Sequence, residues 1–431
     1  MQAGALLGPG AGSRRPLDTG TGELHLMNTI TRAAAVSAPS RQELVGRARE
    51  LAPEIGARAL ECERLQRMPT ENHAAFVDAG FYRILQPKRY GGYEMDLMTL
   101  WDVSREIGRG GCASSAWVLS ILAIHNFYLG YYDDRAQRDI WGEDEDFQTC
   151  TPFVPSGKTK KVKGGIELTD GHWTFASGCD HSEFALLGTL LDHGEGGPPE
   201  FVQCVVHKDD FSIDHDSWKV AGLRGTGSKD IRVEGVFVPD HGIFSLARVT
   251  AEDHAPGREV NDGPLYRQPF FPASICSLVA PAQGAALCAL DAFKGRLKTR
   301  VLAFSDGAAQ EEKVPSQLRM VEAESEIQAA EMLILGDSEQ LHALAERNQP
   351  ADAELRARTL WHNAYGTTLL TRAVERLFVA SGGGALQESN PIQRAWRDIH
   401  AVNSHAGMNF DGMGELYGRV SLGLPANSPL A

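Results

Sequence analysis

The sequence predicts an α+β protein in three successive blocks: a helical N-terminal domain, a β-barrel or sandwich in the middle, and a C-terminal four-helix bundle. Three observations carry this prediction. From about Pro39 to Asp144, apolar residues recur three and four apart among charges, the mark of amphipathic helices. Between about residues 146 and 245 the pattern changes to short β-rich runs with Gly, Asp and Pro turns between them. From about residue 265 the helical period returns over longer stretches. At 431 residues the chain is too long for one simple core, so two or three domains are the natural expectation.

Residues 1–38 come first, as an expected disordered tail. In "MQAGALLGPGAGSRRPLDTGTGELHLMNT" the charge follows the apolar stretch and Gly and Pro interrupt it, which is not the layout of a secretory signal; Met27 is an alternative start. The helical domain, 39–145, opens with "RQELVGRARELAPEIGARALECERLQRMP". A Pro- and Gly-punctuated loop, "LQPKRYGGYEMDL", leads to two helices in "TLWDVSREIGRGGCASSAWVLSILAIHNFYLGYY". The second is apolar nearly all round and therefore buried, with Ser114 or Ser115 as its expected N-cap. The middle domain, 146–245, carries about seven expected strands. In the C-terminal domain, 246–431, Leu318, Val321, Ser325, Met332 and Leu335 form the expected core stripe of the second bundle helix, and Tyr365, Leu370, Val374 and Leu377 that of the third. The fourth begins "ESNPIQRAWRD", where Asn390 suits the N-cap and Pro391 the first turn.

Composition narrows the classes of function. The net charge of −14 comes from 56 acidic against 42 basic residues, and no Lys/Arg cluster offers a nucleic acid or an anionic membrane surface a footing. No run of about 18 strictly apolar residues is apparent, so no bilayer span is expected. Seven cysteines (62, 112, 150, 179, 204, 276 and 288) are scattered and never spaced CxxC. That is the usage of a reduced, cytoplasmic protein without a disulfide framework or zinc site. "GPGAGS" is no G-x-G-x-x-G and follows no strand, so a nicotinamide site of the Rossmann kind is not expected. The acidic residues form no readable metal site.

The stretch "WRDIHAVNSHAGMNF" places His400 and His405 five residues apart. At about 100° per residue they fall about 140° apart and share no helix face, so they are no helical metal pair.

The three-block order and several motifs resemble the acyl-CoA dehydrogenase superfamily over roughly residues 40 to 420. "PKRYGGYEMD" resembles its loop after the first helices, "GLRGTGSKDIRVEGVFVP" its β-domain exit, and "GRLKTRVLAF" its arginine-bearing helix end. Dehydrogenases of the commonest type follow an Arg-Asp pair with Tyr-Glu, the Glu being the base that removes the substrate α-proton. Here Arg397-Asp398 is followed at those positions by His405-Ala406, so that route has lost its base. The region of His405, "WTFASGCDHSEFALLG", "CASSAW" with His125 beyond it, and "LYRQPFF" resemble instead the oxygenase components of two-component flavin monooxygenases. The subgroup is the p-hydroxyphenylacetate 3-hydroxylase oxygenase type, with steroid-phenol hydroxylases and dibenzothiophene monooxygenase as relatives.

The resemblance implies an enzyme that takes diffusible FMNH2 or FADH2 from a separate NAD(P)H-flavin reductase. Through a flavin C4a-hydroperoxide it would use O2 to hydroxylate an aromatic, phenolic small molecule, as a homotetramer. It further implies a role for each matching residue. Ser177 holds the flavin N5 proton, and His405 helps form or protonate the peroxide. His125 contacts the phenolic hydroxyl; Arg267 and Phe270 lie on the substrate side. Trp117 and Thr151 line the flavin ring, Arg300 meets its phosphate, and Ser381 and Gly383 of "ASGGGAL" supply further phosphate contacts. The chemistry suits these types: a hydroxyl accepts from N5–H without adding charge, and an imidazole titrates near working pH. Each has a structural alternative, a turn serine for Ser177, satisfied core or cap imidazoles for the histidines, a flexible turn for the glycines. Three other functions stay open: an N- or S-oxygenating relative, a dehydrogenase or oxidase of the same fold with its base elsewhere, and a flavin-sequestering protein.

Overall fold

The computed structural model describes residues 38–193, 197–252, 254–301, 309–428 and 430. The expected tail over 1–38 and the alternative start at Met27 lie outside them, Ala38 excepted. The first helices are α1 (Arg41–Ala57), α2 (Ala59–Leu65), α3 (Thr70–Asp78), α4 (Leu97–Arg109), α5 (Ala113–Leu129) and α6 (Asp134–Trp141). Ser40 caps α1 through a capping box with Glu43, which satisfies two of the amides a helix start leaves unpaired. Every residue of α5 is buried, as its all-round apolar surface requires. Its N-cap is Cys112, without a side-chain bond, which corrects the expectation for Ser114 or Ser115. Both hydroxyls are spent on tertiary contacts: Ser114 Oγ accepts from Gly225 N–H at 3.2 Å, and Ser115 Oγ accepts from Asn72 at 3.1 Å.

Eight strands follow: β1 (Thr149–Cys150), β2 (Lys158–Val162), β3 (Gly165–Ala176), β4 (Phe184–Leu191), β5 (Glu200–His207), β6 (Ser212–Asp214), β7 (Lys229–Pro239) and β8 (Ile243–Ser245). They form two sheets in the orders β1-β4-β5-β8 and β2-β3-β7-β6, all pairs antiparallel except β1 with β4. Between the sheets Ile166, Leu168, Trp173, Leu187, Val202 and Ile231 make a separate apolar core, the packing of a sandwich. The strand beyond the seven expected is explained by β1 and β8, two and three residues long, too short to show alternation.

The remaining helices are α7 (Leu246–Ala251), α8 (Phe270–Ser274), α9 (Cys276–Leu297), α10 (Val314–Glu346), α11 (Ala353–Ser381), α12 (Pro391–Asn403) and α13 (Phe410–Ser421). Helices α9 to α12 are the expected bundle, and Asn390 caps α12 through Ile392 N–H with Pro391 in the first turn. Of the stripe expected on α10, only Leu335 packs, half-buried, against the core. Leu318, Val321 and Met332 are exposed, and the buried face runs through Ala323, Ile327, Ala330, Ile334 and Leu341. Small alanines let α10 approach its neighbours, so side-chain size misled the sequence reading. A second correction concerns length of apolar sequence: Phe270–Leu297 is long and apolar enough to cross a membrane by composition, though 78% of its most apolar window is buried inside the protein. Pro272, Gln283 and Gly284 interrupt the strict run without lowering its average enough.

Candidate active site

The C-terminal end of β3, the loop between β6 and β7, the end of α12 and the first turns of α5 enclose an open pocket of about 440 Å3. Trp117 stands on one wall, Phe175 and Ser177 on the next, Trp218 to Ser228 on the third, and Trp396 to His405 on the fourth. Pairing of β3 with β7 slips between Trp173 and Ala176, and Phe175 takes φ 62°, a left-handed conformation that a bulky residue holds only when its surroundings enforce it. This irregularity brings both Phe175 and Ser177 to the pocket. Gly178 follows at φ 77°, and a Cβ there would meet Leu122 of α5 at 2.7 Å.

Around Ser177 the polar groups form a line. Trp117 Nε1–H donates to Ser177 Oγ at 3.3 Å. Ser177 Oγ lies 2.7 Å from Ser228 Oγ, Ser228 Oγ lies 2.8 Å from Thr226 Oγ1, and Thr226 donates to Leu223 C=O at 3.0 Å. The loop carrying these hydroxyls is held from below. Buried Asp398 accepts Leu223 N–H at 2.7 Å; burial raises its pKa to about 6, against the opposing effect of that hydrogen bond. Arg397 donates to Ala221 C=O at 3.0 Å and to Glu63 at 2.7 Å. Gly222 packs so closely that an added Cβ would meet Arg397 C=O at 1.9 Å.

Helix α12 ends at Asn403, so His405 is not on a helix; it caps the turn Ala406–Met408. The 140° separation of His400 and His405 therefore does not apply, and both line the pocket. His405 Nδ1 accepts from Gly407 N–H at 3.1 Å, which leaves the proton of the neutral ring on Nε2. Its ring meets Trp117 edge-on at 5.9 Å. The residue is exposed to water through the pocket mouth, yet the surrounding walls push its pKa down to about 4 by desolvation. Water in the open pocket weakens the depression, and a planar ligand that displaces it strengthens it.

His125 lies two turns along α5 and does not line this pocket. Its Nδ1–H donates to the Thr149 carbonyl, which leaves Nε2 as the acceptor. Burial lowers its pKa to about 4, and the bond to Thr149 opposes this. The ring stacks on Tyr128 at 5.8 Å, and Tyr128 stacks on Phe270 at 4.6 Å. Phe270 is 2% exposed, so it belongs to a sealed aromatic nest and not to an exposed loop. Arg267 turns away from it and donates to the carbonyls of Ala345 and Asp262, in a polar cleft with Arg258 and Asn348. Thr151 is buried and does not line the Trp117 pocket, and its hydroxyl has no partner among the described residues.

Arg300, Ser381 and Gly383 meet elsewhere. Arg300 and Arg296 both donate to Ser381 C=O, at 2.8 and 2.9 Å, and both guanidinium groups lie against the Gly382–Gly384 turn. Gly383 has open space where a Cβ would stand. None of these residues lines the Trp117 pocket. Sequence reasoning missed Phe175, Trp218, Trp396, Thr226 and Ser228. The period-2 spacing of Phe175 and Ser177 was the available signal, as were the two hydroxyls flanked by glycine in "GTGS". Among the described residues no carboxylate lines the pocket.

Comparisons with known proteins show the family and the fold. Residues 39–141 match the family described as Acyl-CoA dehydrogenase, N-terminal domain, and 276–410 its C-terminal domain. The chain is 36% identical over 375 residues to the oxygenase subunit HsaA of a flavin-dependent monooxygenase from Rhodococcus jostii (strain RHA1), covering 87% of this chain and 97% of that one. It is 31% identical to the oxygenase component of an FADH2-dependent resorcinol hydroxylase from Rhizobium sp. (strain MTP-10005), covering 88% and 94%. The solved structure of XiaF from Streptomyces sp. in complex with FADH2 and glycerol superposes with a TM-score of 0.84 at 26% identity, covering 91% of this chain and 98% of that one.

Proposed function

We propose that this chain, which belongs to the oxygenase components of flavin-dependent monooxygenases in the acyl-CoA dehydrogenase family, uses reduced flavin and O2 to hydroxylate an aromatic, phenolic small molecule. The observation that carries this reading is the make-up of the pocket wall: aromatic rings, hydroxyls and two imidazoles, with no carboxylate among the described residues to remove an α-proton. The residues fit a flavin ring. The cavity of about 440 Å3 is in the range of cofactor sites, and its walls are the large rings of Trp117, Phe175 and Trp218.

When bound, reduced flavin supplies the electrons that activate O2 and allow one oxygen atom to reach the substrate. The chain supplies the rest. Ser177 presents an acceptor to the flavin N5–H, and His405 presents Nε2–H as a donor or passes that proton on. The aromatic walls exclude water that would otherwise release H2O2. On this reading His125, which keeps Nε2 as its acceptor, serves a phenolic hydroxyl beside Phe270; the nest is closed in this structure, so the substrate displaces part of its packing on entry and gains electron density on its ring from the bond to His125. The pair Arg296 and Arg300 offers planar donors to the flavin phosphate, with Ser381 and Gly383 in the same turn. Arg267, bonded to the carbonyls of Ala345 and Asp262 in a separate cleft, takes no part in this reading.

A separate NAD(P)H-flavin reductase supplies the reduced cofactor, in keeping with relatives named as oxygenase subunits or components. Homotetramer formation would cover the apolar residues that α10 exposes, Leu318, Val321 and Met332. The test is direct. The protein is mixed anaerobically with reduced FMN or FAD, then with 18O2 and a panel of phenols, arylamines, thiophenes and acyl thioesters. A phenol carrying one 18O atom is the expected product. Oxygen on nitrogen or sulfur alone would move the chain to the N- or S-oxygenating relatives, and desaturation of a thioester would make it a dehydrogenase.

A further inference from the structure

The line of hydroxyls beside the pocket has a fixed polarity that bears on which redox state of flavin it accepts. Leu223 C=O can only accept, and it receives Trp218 Nε1–H at 3.3 Å, Thr226 N–H at 3.1 Å and the Thr226 hydroxyl at 3.0 Å. With the Thr226 proton directed there, Thr226 Oγ1 is the acceptor at 2.8 Å and Ser228 the donor. The same logic carries one step further: at 2.7 Å, Ser228 accepts and Ser177 donates. Trp117 Nε1–H can only donate, and it occupies one lone pair of Ser177 Oγ at 3.3 Å. Ser177 therefore keeps one lone pair and no proton for the pocket. The far end is anchored by Asp398, which accepts Leu223 N–H at 2.7 Å and makes that peptide's carbonyl a better acceptor. Thr226 and Ser228 line the pocket but are both buried, 2% and 4% exposed, which limits the access of pocket water to the line.

The geometry points to Ser228 and Thr226 as positioning residues that hold Ser177 as a pure acceptor, and thereby favour reduced flavin, whose N5 carries a proton, over oxidised flavin, whose N5 can only accept. This rests on the assignment of Ser177 to the flavin N5. The mechanism of discrimination is electrostatic: an acceptor facing N5–H makes a hydrogen bond, and the same acceptor facing bare N5 is repelled. Replacing Ser228 by Ala frees the Ser177 proton to turn to the pocket and satisfy the oxidised ring.

The experiment measures the dissociation constants of oxidised and anaerobically reduced FMN and FAD for the intact protein and its variants. Ser228→Ala should lower the ratio of oxidised to reduced constants by about threefold to tenfold, the worth of one neutral hydrogen bond. Ser228→Thr, which keeps the hydroxyl, should restore the ratio. Thr226→Val breaks the line one step later without loss of volume and should act in the same direction, which guards against Ser228→Ala failing to fold. The double variant Ser177→Ala/Ser228→Ala should change the ratio no more than Ser177→Ala alone. If Ser177→Ala shifts the ratio and neither Ser228→Ala nor Thr226→Val moves it by twofold, the line is structural and the role of Ser177 survives. If Ser177→Ala leaves the ratio unchanged as well, its place at N5 is lost too.

Discussion

Two imidazoles at this site are wired in opposite senses. His125 donates Nδ1–H to the Thr149 carbonyl in a sealed aromatic nest, whereas His405 receives Gly407 N–H at the same atom in an open pocket. The backbone partner leaves each ring no choice of tautomer: His125 is left with an acceptor at Nε2, His405 with a donor. Burial pushes the pKa of His125 down to about 4, and the pocket walls lower that of His405 against the water that still reaches it, so both rings are neutral at pH 7 and present opposite directions of the proton. In the proposed function one residue type would thus serve two tasks, an acceptor for a substrate hydroxyl and a donor beside the cofactor, each chosen by one backbone contact.

The largest test of that contrast is His125→Ala. Loss of the acceptor should slow product formation by about a hundredfold, the lower end of what a positioned acid or base contributes. The dissociation constant for reduced flavin should stay within twofold, because His125 does not line the pocket. His405→Ala should do the converse. Loss of one donor beside the cofactor should lower the fraction of flavin oxidation coupled to product about tenfold, with H2O2 making up the difference. Measuring product and H2O2 together separates the two; the same pattern in both variants would erase the contrast.

Acid unfolding sharpens it further. With a folded pKa of about 4 against an unfolded value near 6.5, neutral His125 contributes stability that is whole above pH 6.5 and is lost as pH falls through that window toward 4. At pH 5 the loss is about 2 kcal/mol. His125→Gln should flatten that part of the stability curve by this amount. His405→Gln should flatten it less, because water in the open pocket screens its charge. Denaturant unfolding from pH 7 to pH 4.5 gives both numbers, and equal flattening would mean the two sites are equally dry.

The blocks of the fold were legible because helix and strand periods differ and each persists for many residues. The reach failed where local rules met tertiary ones. Ser114 and Ser115 look like caps, but Gly225 N–H and Asn72 take their hydroxyls. Large residues on α10 look like core, but its alanines face inward. At the site, Trp117, Ser177 and His405 were found and are brought together. Phe175 and Ser228 were not, because a strand irregularity and a loop crossing from another block decide their placement. His400 was set aside on a helical angle that stops applying where α12 ends. Arg267 carries the right chemistry but turns to carbonyls in a different cleft.

The smallest effect compares single hydroxyls in the two regions. Tyr128 is buried in the nest and donates to Ser274 Oγ at 3.1 Å, and burial raises its pKa to about 12. Tyr128→Phe leaves the Ser274 oxygen short of a donor where water does not reach, and should cost about 1 kcal/mol of stability. Ser404 lines the open pocket, is exposed, and donates to His400 C=O at 2.9 Å. Ser404→Ala frees a carbonyl that water can serve, so the change should stay within about 0.5 kcal/mol. Denaturant midpoints of the two variants decide it. If Ser404→Ala proves the costlier, the pocket is closed to water before any ligand enters, and the weaker flattening expected for His405→Gln fails with it.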